Sequence, residues 1–431
     1  MAIPHILVIG GGAGGLPLVT LLGRKLGQAG MARITLVDGN TFHVWKPRFH
    51  EVATGAIDAD LDAVDYRAHA RLNGYRFEQG LLTSADTSAR TVTLAALIDS
   101  DGHQVLPERQ LDYDYLVIAI GSRSNDFGTP GVKEHALFMD SLPQADRFRE
   151  TFLNACLQAN FYDRELSIAI VGGGATGVEL AAETHHAVDL LKLYGHEHLA
   201  RDRLKVTVIE AAPRILPVLP ERLSAAATAQ LEKMGVTVLT NTAVAKAEQG
   251  AFITRDEQPI NADILVWAAG VKAPEVLTRI SGATLNRIQQ IDVEPTLQAK
   301  GLDNVFVIGD SACCILQEGE RPLPPRAQTA QQMAKHLAGE LTRKIMFNRE
   351  PRFFAYRDQG SLVSLSKYSS VGTLMGNLKS GNFFVEGWLA RIMYISLYRL
   401  HQATLYGWPR TLMLLLAGRF SRLVRPRMKL H

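Results

Sequence analysis

Two apolar runs along the chain each break abruptly into glycines. His5-Ile6-Leu7-Val8-Ile9 meets Gly10-Gly11-Gly12-Ala13-Gly14-Gly15, and Ser167-Ile168-Ala169-Ile170-Val171 meets Gly172-Gly173-Gly174-Ala175-Thr176-Gly177. A short continuous apolar run bounded by turn formers reads as a strand buried on both faces. Helix-compatible sequence follows each glycine cluster. Strand, G-x-G-x-x-G and helix, in that order, predict a dinucleotide-binding unit. The glycines let the backbone turn tightly and approach a pyrophosphate seated on a helix N-terminus. One such pattern is weak on its own, but two suggest electron transfer between two cofactors.

Each unit has a second predicted strand ending in an acid: Arg33-Ile34-Thr35-Leu36-Val37-Asp38 and Leu204-Lys205-Val206-Thr207-Val208-Ile209-Glu210. A carboxylate there accepts hydrogen bonds from the adenosine ribose. The spacing from glycines to acid is longer in the second unit, which predicts an insertion around Tyr194 to Arg203. Glu210 would repel a 2′-phosphate, so NADH is expected over NADPH, although Arg214 lies nearby in sequence. Three further runs end in small residues: Tyr115 to Gly121 with Ala119, Leu265 to Gly270 with Ala269, and Val305 to Asp310 with Gly309. Thr91–Leu94 and Gln110–Tyr113 flank Asp101-Gly102, predicting a β-excursion with a turn.

From about residue 346 the pattern changes. Phe353-Phe354-Ala355-Tyr356 and Ser361-Leu362-Val363-Ser364-Leu365 suggest short strands, with Gly372, Gly376 and Gly381 as breakers. The tail from Gly387 to His431 has no Asp or Glu but carries Arg391, Arg399, Arg410, Arg419, Arg422, Arg425, Arg427 and Lys429. Leu389, Ile392, Met393, Ser396, Leu397 and Leu400 recur at helical spacing, and Trp388, Tyr394, Tyr398, Tyr406 and Trp408 add interfacial aromatics. The combination fits a pair of basic amphipathic helices on an anionic membrane surface. The alternative is helix packing in a homodimer interface.

Charge changes the picture little. Lys and Arg number 46 against 43 Asp and Glu, a formal net charge of +3, so no global nucleic-acid signature is present. The N-terminus enters the first strand directly, with no signal peptide. No apolar run approaches the ~20 residues of a spanning helix, so a cytoplasmic or cytoplasm-facing protein is expected. The three cysteines, Cys156, Cys313 and Cys314, form no C-x-x-C, and no metal-ligand cluster is evident. Adjacent cysteines rarely close a strain-free disulfide, and small buried positions on a helix are expected for that pair.

The Gly-Asp at 309–310 and the two Ala-x-Gly strand ends resemble the two-dinucleotide-binding-domain flavoproteins. That resemblance implies an α/β fold with two Rossmann-like domains, the NAD domain inserted in the FAD domain, plus a C-terminal membrane-associating region. It assigns 1–160 and 291–345 to FAD, 161–290 to NADH and 346–431 to the tail. Non-covalent FAD would be held by Gly10, Gly12, Gly14, Gly15, Asp38, Ala119, Gly121, Gly309 and Asp310. NADH, the substrate, would be held by Gly172, Gly174, Gly177, Glu210, Ala269 and Gly270.

Four segments are more specific: Trp45 to Gly55, Val171 to Leu180, Pro325-Arg326-Ala327-Gln328-Thr329-Ala330-Gln331-Gln332, and Ile395 to Gln402. They resemble the bacterial type II NADH:quinone oxidoreductases across essentially the whole chain. Arg48-Phe49 departs from that pattern, where close relatives carry two apolar residues. The resemblance implies hydride transfer from NADH to the flavin, two-electron reduction of a membrane quinone and no proton pumping. It implies a peripheral, monotopic place on the cytoplasmic face of the bacterial inner membrane. Glu179 would line the nicotinamide pocket, although an acid early in a helix also complements its dipole. Gln328 would hydrogen-bond the quinone, with Gln332 on the same helix face. Lys46 and His50 would shape the flavin environment. A reductase of a soluble acceptor and a non-catalytic redox sensor remain the alternatives.

Overall fold

The computed structural model describes residues 3–195, 203–365, 369–374, 383–386, 388–424 and 428–429. Two compact units emerge. The first comprises Met1–Trp45, Asp62–Arg123 and Val271–Arg357; the second comprises Lys46–Leu61, Ser124–Gly270 and Asp358–His431.

The first unit is built on a five-stranded parallel sheet. Its order is Val305–Val307, Tyr115–Ile118, His5–Ile9, Arg33–Asp38 and Arg76–Gln79. The first strand is central, with Val8 facing Val117 on one side and Leu36 on the other. All five of its residues are buried, as an apolar run between two parallel neighbours requires. The excursion is present: Leu82–Asp86, Thr91–Leu94 and Arg109–Asp112 form an antiparallel sheet. Gly102 turns a small hairpin between Leu97–Ile98 and Gln104–Leu106.

The second unit repeats the plan with four parallel strands: Val236–Leu239, Leu204–Ile209, Leu166–Val171 and Ile264–Trp267. Val171, Ile209, Phe252, Leu265 and Trp267 share one core cluster. Ser361–Leu365, Ser369–Leu374 and Phe383–Glu386 form an antiparallel sheet. Two helices follow, Trp388–Tyr406 and Trp408–Val424, separated at Gly407, whose φ is +79°. Among the described residues no helix is long and apolar enough to cross a membrane.

Several local expectations need correction. Phe353-Phe354-Ala355-Tyr356 is not a strand. Phe354 is buried and donates its N–H to Pro295 O at 2.7 Å, while Gln332 clamps Arg357, so the segment is held by side chains and loop backbone. Gly372 breaks nothing; it pairs with both Leu362 and Val385 within its sheet. Cys313 and Cys314 lie on the strand Ala312–Cys314, paired with Ile291–Val293, and not on a helix. Tail position Leu400 is 49 % exposed, because the inward face of its helix is Tyr398, His401, Gln402 and Leu405. Gly376, Gly381, Gly387, Arg425, Arg427 and the insertion at 196–202 lie outside the described residues, as do the side chains of Trp388, Leu389, Arg391, Ile392 and Arg422.

The helix Ala327–Phe347 carries a buried acid, Glu340. Burial alone would raise its pKa. The guanidinium and main-chain N–H of Arg352, together with Arg343, overcome that and hold it below the usual carboxylate range. Such a group stabilises the fold above the unfolded-state pKa of ~4.3 and loses that contribution as pH falls through its lower folded value. Glu340→Gln should therefore cost about 2 kcal/mol at neutral pH. The difference from the parent should shrink in urea melts as pH is lowered below about 4.

Candidate functional site

In the first unit the three fingerprint glycines do three different jobs. Gly10 has φ +99°, and a β-carbon there would stand 2.5 Å from Ala119 O. A β-carbon on Gly15 would stand 1.8 Å from Gly10 O, so only glycine lets the helix Gly15–Leu22 close on the loop. Gly12 has nothing within 4 Å of its would-be β-carbon, which leaves room for a phosphate at the backbone. The helix begins at Gly14 without a side-chain cap or a first-turn acid, so its leading N–H groups are suited to an anion.

Asp38 accepts from the Gly11 N–H at 2.7 Å and the Asn40 N–H at 2.8 Å. Burial raises its pKa, against the pull of those two amides. The Tyr66 hydroxyl donates to Gly11 O at 2.9 Å. At the next strand ends, Gly121 has φ +73° and open space beside it. Asp310 accepts from the Ser122 hydroxyl at 2.7 Å, and Gln290 donates its amide to Asp310 O at 2.9 Å. Ser122 and Gln290 were not singled out by sequence, since neither sits in a motif.

Gln328 lies on the first turn of Ala327–Phe347. That turn is brought to the fingerprint by Ala330, whose β-carbon would be 3.4 Å from one on Gly14 and 3.1 Å from one on Gly309. Gln332 is committed elsewhere: its amide donates to Arg357 O at 2.8 Å and accepts from Arg357 N–H at 3.0 Å. Exposed Asp99, Asp101 and His103 gather at the excursion turn, where Asp99 accepts from the Asp101 and His103 N–H groups.

The second unit repeats the device. Gly172 has φ +115° and would clash with Ala268; a β-carbon on Gly177 would stand 2.1 Å from Gly172 O; Gly174 is open. The helix Ala175–Lys192 also starts without a side-chain cap or a first-turn acid. Glu210 accepts from the Gly173 N–H at 2.7 Å and the Ala212 N–H at 2.8 Å. Arg214 is spent on its own loop, donating to the carbonyls of Leu216, Pro217 and Leu219. Ala269 is half-buried, and Gly270, at φ +63°, leaves no room for a β-carbon beside Phe127.

The same unit assembles a buried polar cluster. Glu179 is the fifth residue of its helix, past the first turn, and only 7 % exposed, so dipole complementarity does not account for it. It accepts the Ser364 N–H at 2.9 Å, and His50 Nδ1 lies 3.4 Å away. Burial drives the Glu179 carboxyl well above its usual pKa; the Ser364 N–H opposes this, and Glu51 and Glu183 add to it. Burial likewise brings His50 down to about 4. Arg48 pairs with Glu51 at 2.7 Å and lies 4.7 Å over the Tyr398 ring. The Tyr394 hydroxyl reaches Pro47 O at 3.4 Å. Tyr394 and Tyr398 therefore pack against the segment 46–51. Lys46 pairs with Asp140 at 3.2 Å.

The pyridine nucleotide-disulphide oxidoreductase family model matches residues 4–334. The type II NADH:quinone oxidoreductase of Haemophilus influenzae is 42 % identical, the match covering 99 % of this chain and 100 % of that one. The chain belongs to the type II NADH:quinone oxidoreductases. The Staphylococcus saprophyticus member is 30 % identical over 86 % of this chain and 90 % of its own. Two solved structures share the fold. Plasmodium falciparum NDH2 in complex with NADH has a TM-score of 0.82 at 19 % identity, covering 99 % of this chain and 100 % of that one. The sulfide:quinone oxidoreductase of Aquifex aeolicus has a TM-score of 0.72 at 19 % identity, covering 94 % and 92 %.

For this type II NADH:quinone oxidoreductase the glycine geometry separates folding from binding. Gly15→Ala drives a β-carbon into backbone and should cost at least about 3 kcal/mol, read as a lowered Tm. Gly12→Ala meets nothing in the protein and should change stability by less than about 0.5 kcal/mol. It should nonetheless lower the bound dinucleotide per protein, measured by absorbance.

Proposed function

We propose that this chain oxidises NADH and delivers the two electrons through FAD to a membrane quinone, as a single subunit without proton pumping. The observation that carries this reading is the full-length relatedness to a type II NADH:quinone oxidoreductase. FAD belongs to the fingerprint of the first unit, with Asp38 at the ribose and Asp310 toward the ribityl and phosphate region. NADH belongs to the second, with Glu210 at its ribose. The engagement of Arg214 supports NADH over NADPH, because its guanidinium is held by its own loop carbonyls and not offered to a 2′-phosphate. Bound FAD supplies the hydride chemistry; the chain supplies position and electrostatics. Glu179 contributes a buried carboxyl whose neutral form is favoured by desolvation, and Gln328 contributes an amide donor to a quinone oxygen. The Gln332 amide is better explained as a clamp on Arg357.

The tail fits attachment to the membrane surface. Leu412, Met413, Leu414, Leu415 and Leu416 are all exposed on one helix, with Trp408 and Phe420 at 66 % and 67 %. Arg410 and Arg419 are exposed beside them. Apolar side chains and cations together suit an anionic leaflet, here the cytoplasmic face of an inner membrane, better than nucleic acid. The test of the whole reading is NADH oxidation by purified protein with a panel of quinones, alongside identification of the flavin. Failure of quinones to reoxidise the reduced flavin faster than soluble acceptors would overturn it.

Gln328→Leu should leave flavin reduction by NADH intact in stopped flow. It should slow reoxidation by quinone roughly three- to tenfold, the equivalent of one hydrogen bond of about 1 kcal/mol. Equal slowing of both halves would place Gln328 elsewhere.

Replacing Leu412, Leu416 and Phe420 together by Ser should weaken vesicle binding at least about a hundredfold, since each side chain contributes roughly 1.5–3 kcal/mol on burial. High salt should release the parent only in part, because the apolar contribution is not screened. A triple variant that still sediments with anionic vesicles defeats the assignment. Parent protein that never sediments favours a homodimer contact.

A further inference from the structure

Quinone reduction by NADH consumes a proton that the hydride does not bring. NADH, one proton and quinone give NAD⁺ and quinol; the hydride carries two electrons and one proton, and the second proton comes from water. A buried carboxyl such as Glu179 needs a supply route to replace a proton it gives up.

We propose that His50 is that route, passing protons from Glu51 at the solvent edge to the buried Glu179. Three side chains stand in line. Glu51 is 18 % exposed, and its Oε2 is held by Arg48 Nε and Nη2 at 3.1 and 2.7 Å. Its other oxygen, Oε1, faces His50 Nε2 at 3.9 Å. His50 Nε2 is buried and makes no hydrogen bond. Across the ring, Nδ1 stands 3.4 Å from Glu179 Oε2. A small swing of the Glu51 carboxyl closes the longer gap to hydrogen-bond length. Left without such a swing, a buried imidazole nitrogen would remain unsatisfied, which natural interiors avoid.

The step balances without electrons. Once Glu179 is a carboxylate, the proton on His50 Nδ1 moves to Glu179 Oε2, and His50 Nε2 takes a proton that water has placed on Oε1 of Glu51, which returns to the carboxylate paired with Arg48. The imidazole stays neutral throughout, and turning of the ring restores its starting tautomer. Glu51 is thus a transient carrier, charged before and after the step. Besides Glu51, Arg48 and the hydrogen-bonding Pro47 carbonyl on its own segment act on His50; Glu183 on the Glu179 helix acts on Glu179, Tyr394 on the tail helix faces Glu179 and Glu51, and Tyr398 lies under Arg48. The adjoining helix Leu142–Phe161 turns Ala145, Phe148 and Phe152 inward, with no charge among them. His50 thus acts through Glu179 as a positioning and relay residue.

This inference rests on the reading of Glu179 as a reaction-pocket acid, and the experiment separates the two. The protonated Glu179 carboxyl is followed by infrared spectroscopy of the oxidised holoenzyme, the band being identified by its loss in Glu179→Gln. On transfer to heavy water, exchange of that band should slow about tenfold or more in His50→Gln and in Glu51→Gln. Removing the Glu51 charge should also lower the pH at which the band titrates, and removing the Nδ1 donor should raise it. In stopped flow, both variants should slow quinone-driven reoxidation more than NADH-driven reduction, with the gap widening toward alkaline pH. Exchange as fast as in the parent in both variants overturns the relay while leaving Glu179 in place. Absence of any Glu179 carboxyl band also overturns it. Unaltered half-reactions in Glu179→Gln overturn the underlying reading instead. Glu51→Gln keeps shape and exposure, so the result stands even if His50→Gln folds poorly.

Discussion

The backbone of one residue pressing on the backbone of another, with no side chain between them, is the constraint on which both dinucleotide units depend. Gly15 sits on Gly10 O and Gly177 on Gly172 O, at distances that exclude a β-carbon. That closeness lets the helix start directly above the end of the first strand. The uncapped N-terminus then points its amides at the loop, and the open face of Gly12 or Gly174 gives a phosphate access to them. The acids complete the device from the neighbouring strand. Asp38 and Glu210 each take the N–H of the residue after the first glycine, so each carboxylate shapes its loop beside the role proposed for it at a ribose. A carboxylate oxygen accepts more than one hydrogen bond, which allows both roles at once.

The second constraint is the burial of Glu179. Among the described residues, Glu179, at 7 % exposure, has the Ser364 N–H and the His50 imidazole beside its oxygens and no ion pair with a lysine or arginine. Burial pushes such a group toward its neutral form, and the Ser364 N–H opposes that. Arg48, the residue that departs from the expected apolar pair, is spent on Glu51 and the Tyr398 ring.

What was legible in the sequence was local. Strand, glycine loop, helix and terminal acid are contiguous in the chain, so periodicity and spacing identified Gly10, Gly12, Gly15, Asp38, Gly172, Gly174, Gly177 and Glu210 in their structural context. What was not legible depends on partners far along the chain. Arg214 read as a possible phosphate ligand until its loop carbonyls were seen to hold it. Gln332 shares a helix face with Gln328, yet Arg357 claims its amide. Phe353 to Tyr356 has strand composition but pairs with no strand. Gln290 and Ser122 support Asp310 from positions without any motif. Periodicity in the tail correctly gave helices but not their inward face, because an arginine at position 48 draws Tyr398 inward.

That inward face changes how the tail must be understood. One side of Trp388–Tyr406 buries Tyr398, His401, Gln402 and Leu405, while Trp408–Val424 exposes a nearly continuous apolar surface. Beyond them, Lys429 pairs with Asp58 at 2.9 Å and donates its N–H to Gly55 O at 2.8 Å. The tail therefore fastens both ends of the segment that carries Arg48, His50 and Glu51. Removing it whole would free that segment as well as strip the exposed apolar face proposed to meet the membrane, and lost activity would not tell the two apart. Only substitutions on the outer face of Trp408–Val424 isolate attachment, since those side chains take no part in holding the segment. One tail cation has a partner within the fold, since Lys429 pairs with Asp58, while Arg410 and Arg419 are exposed on the outer helix.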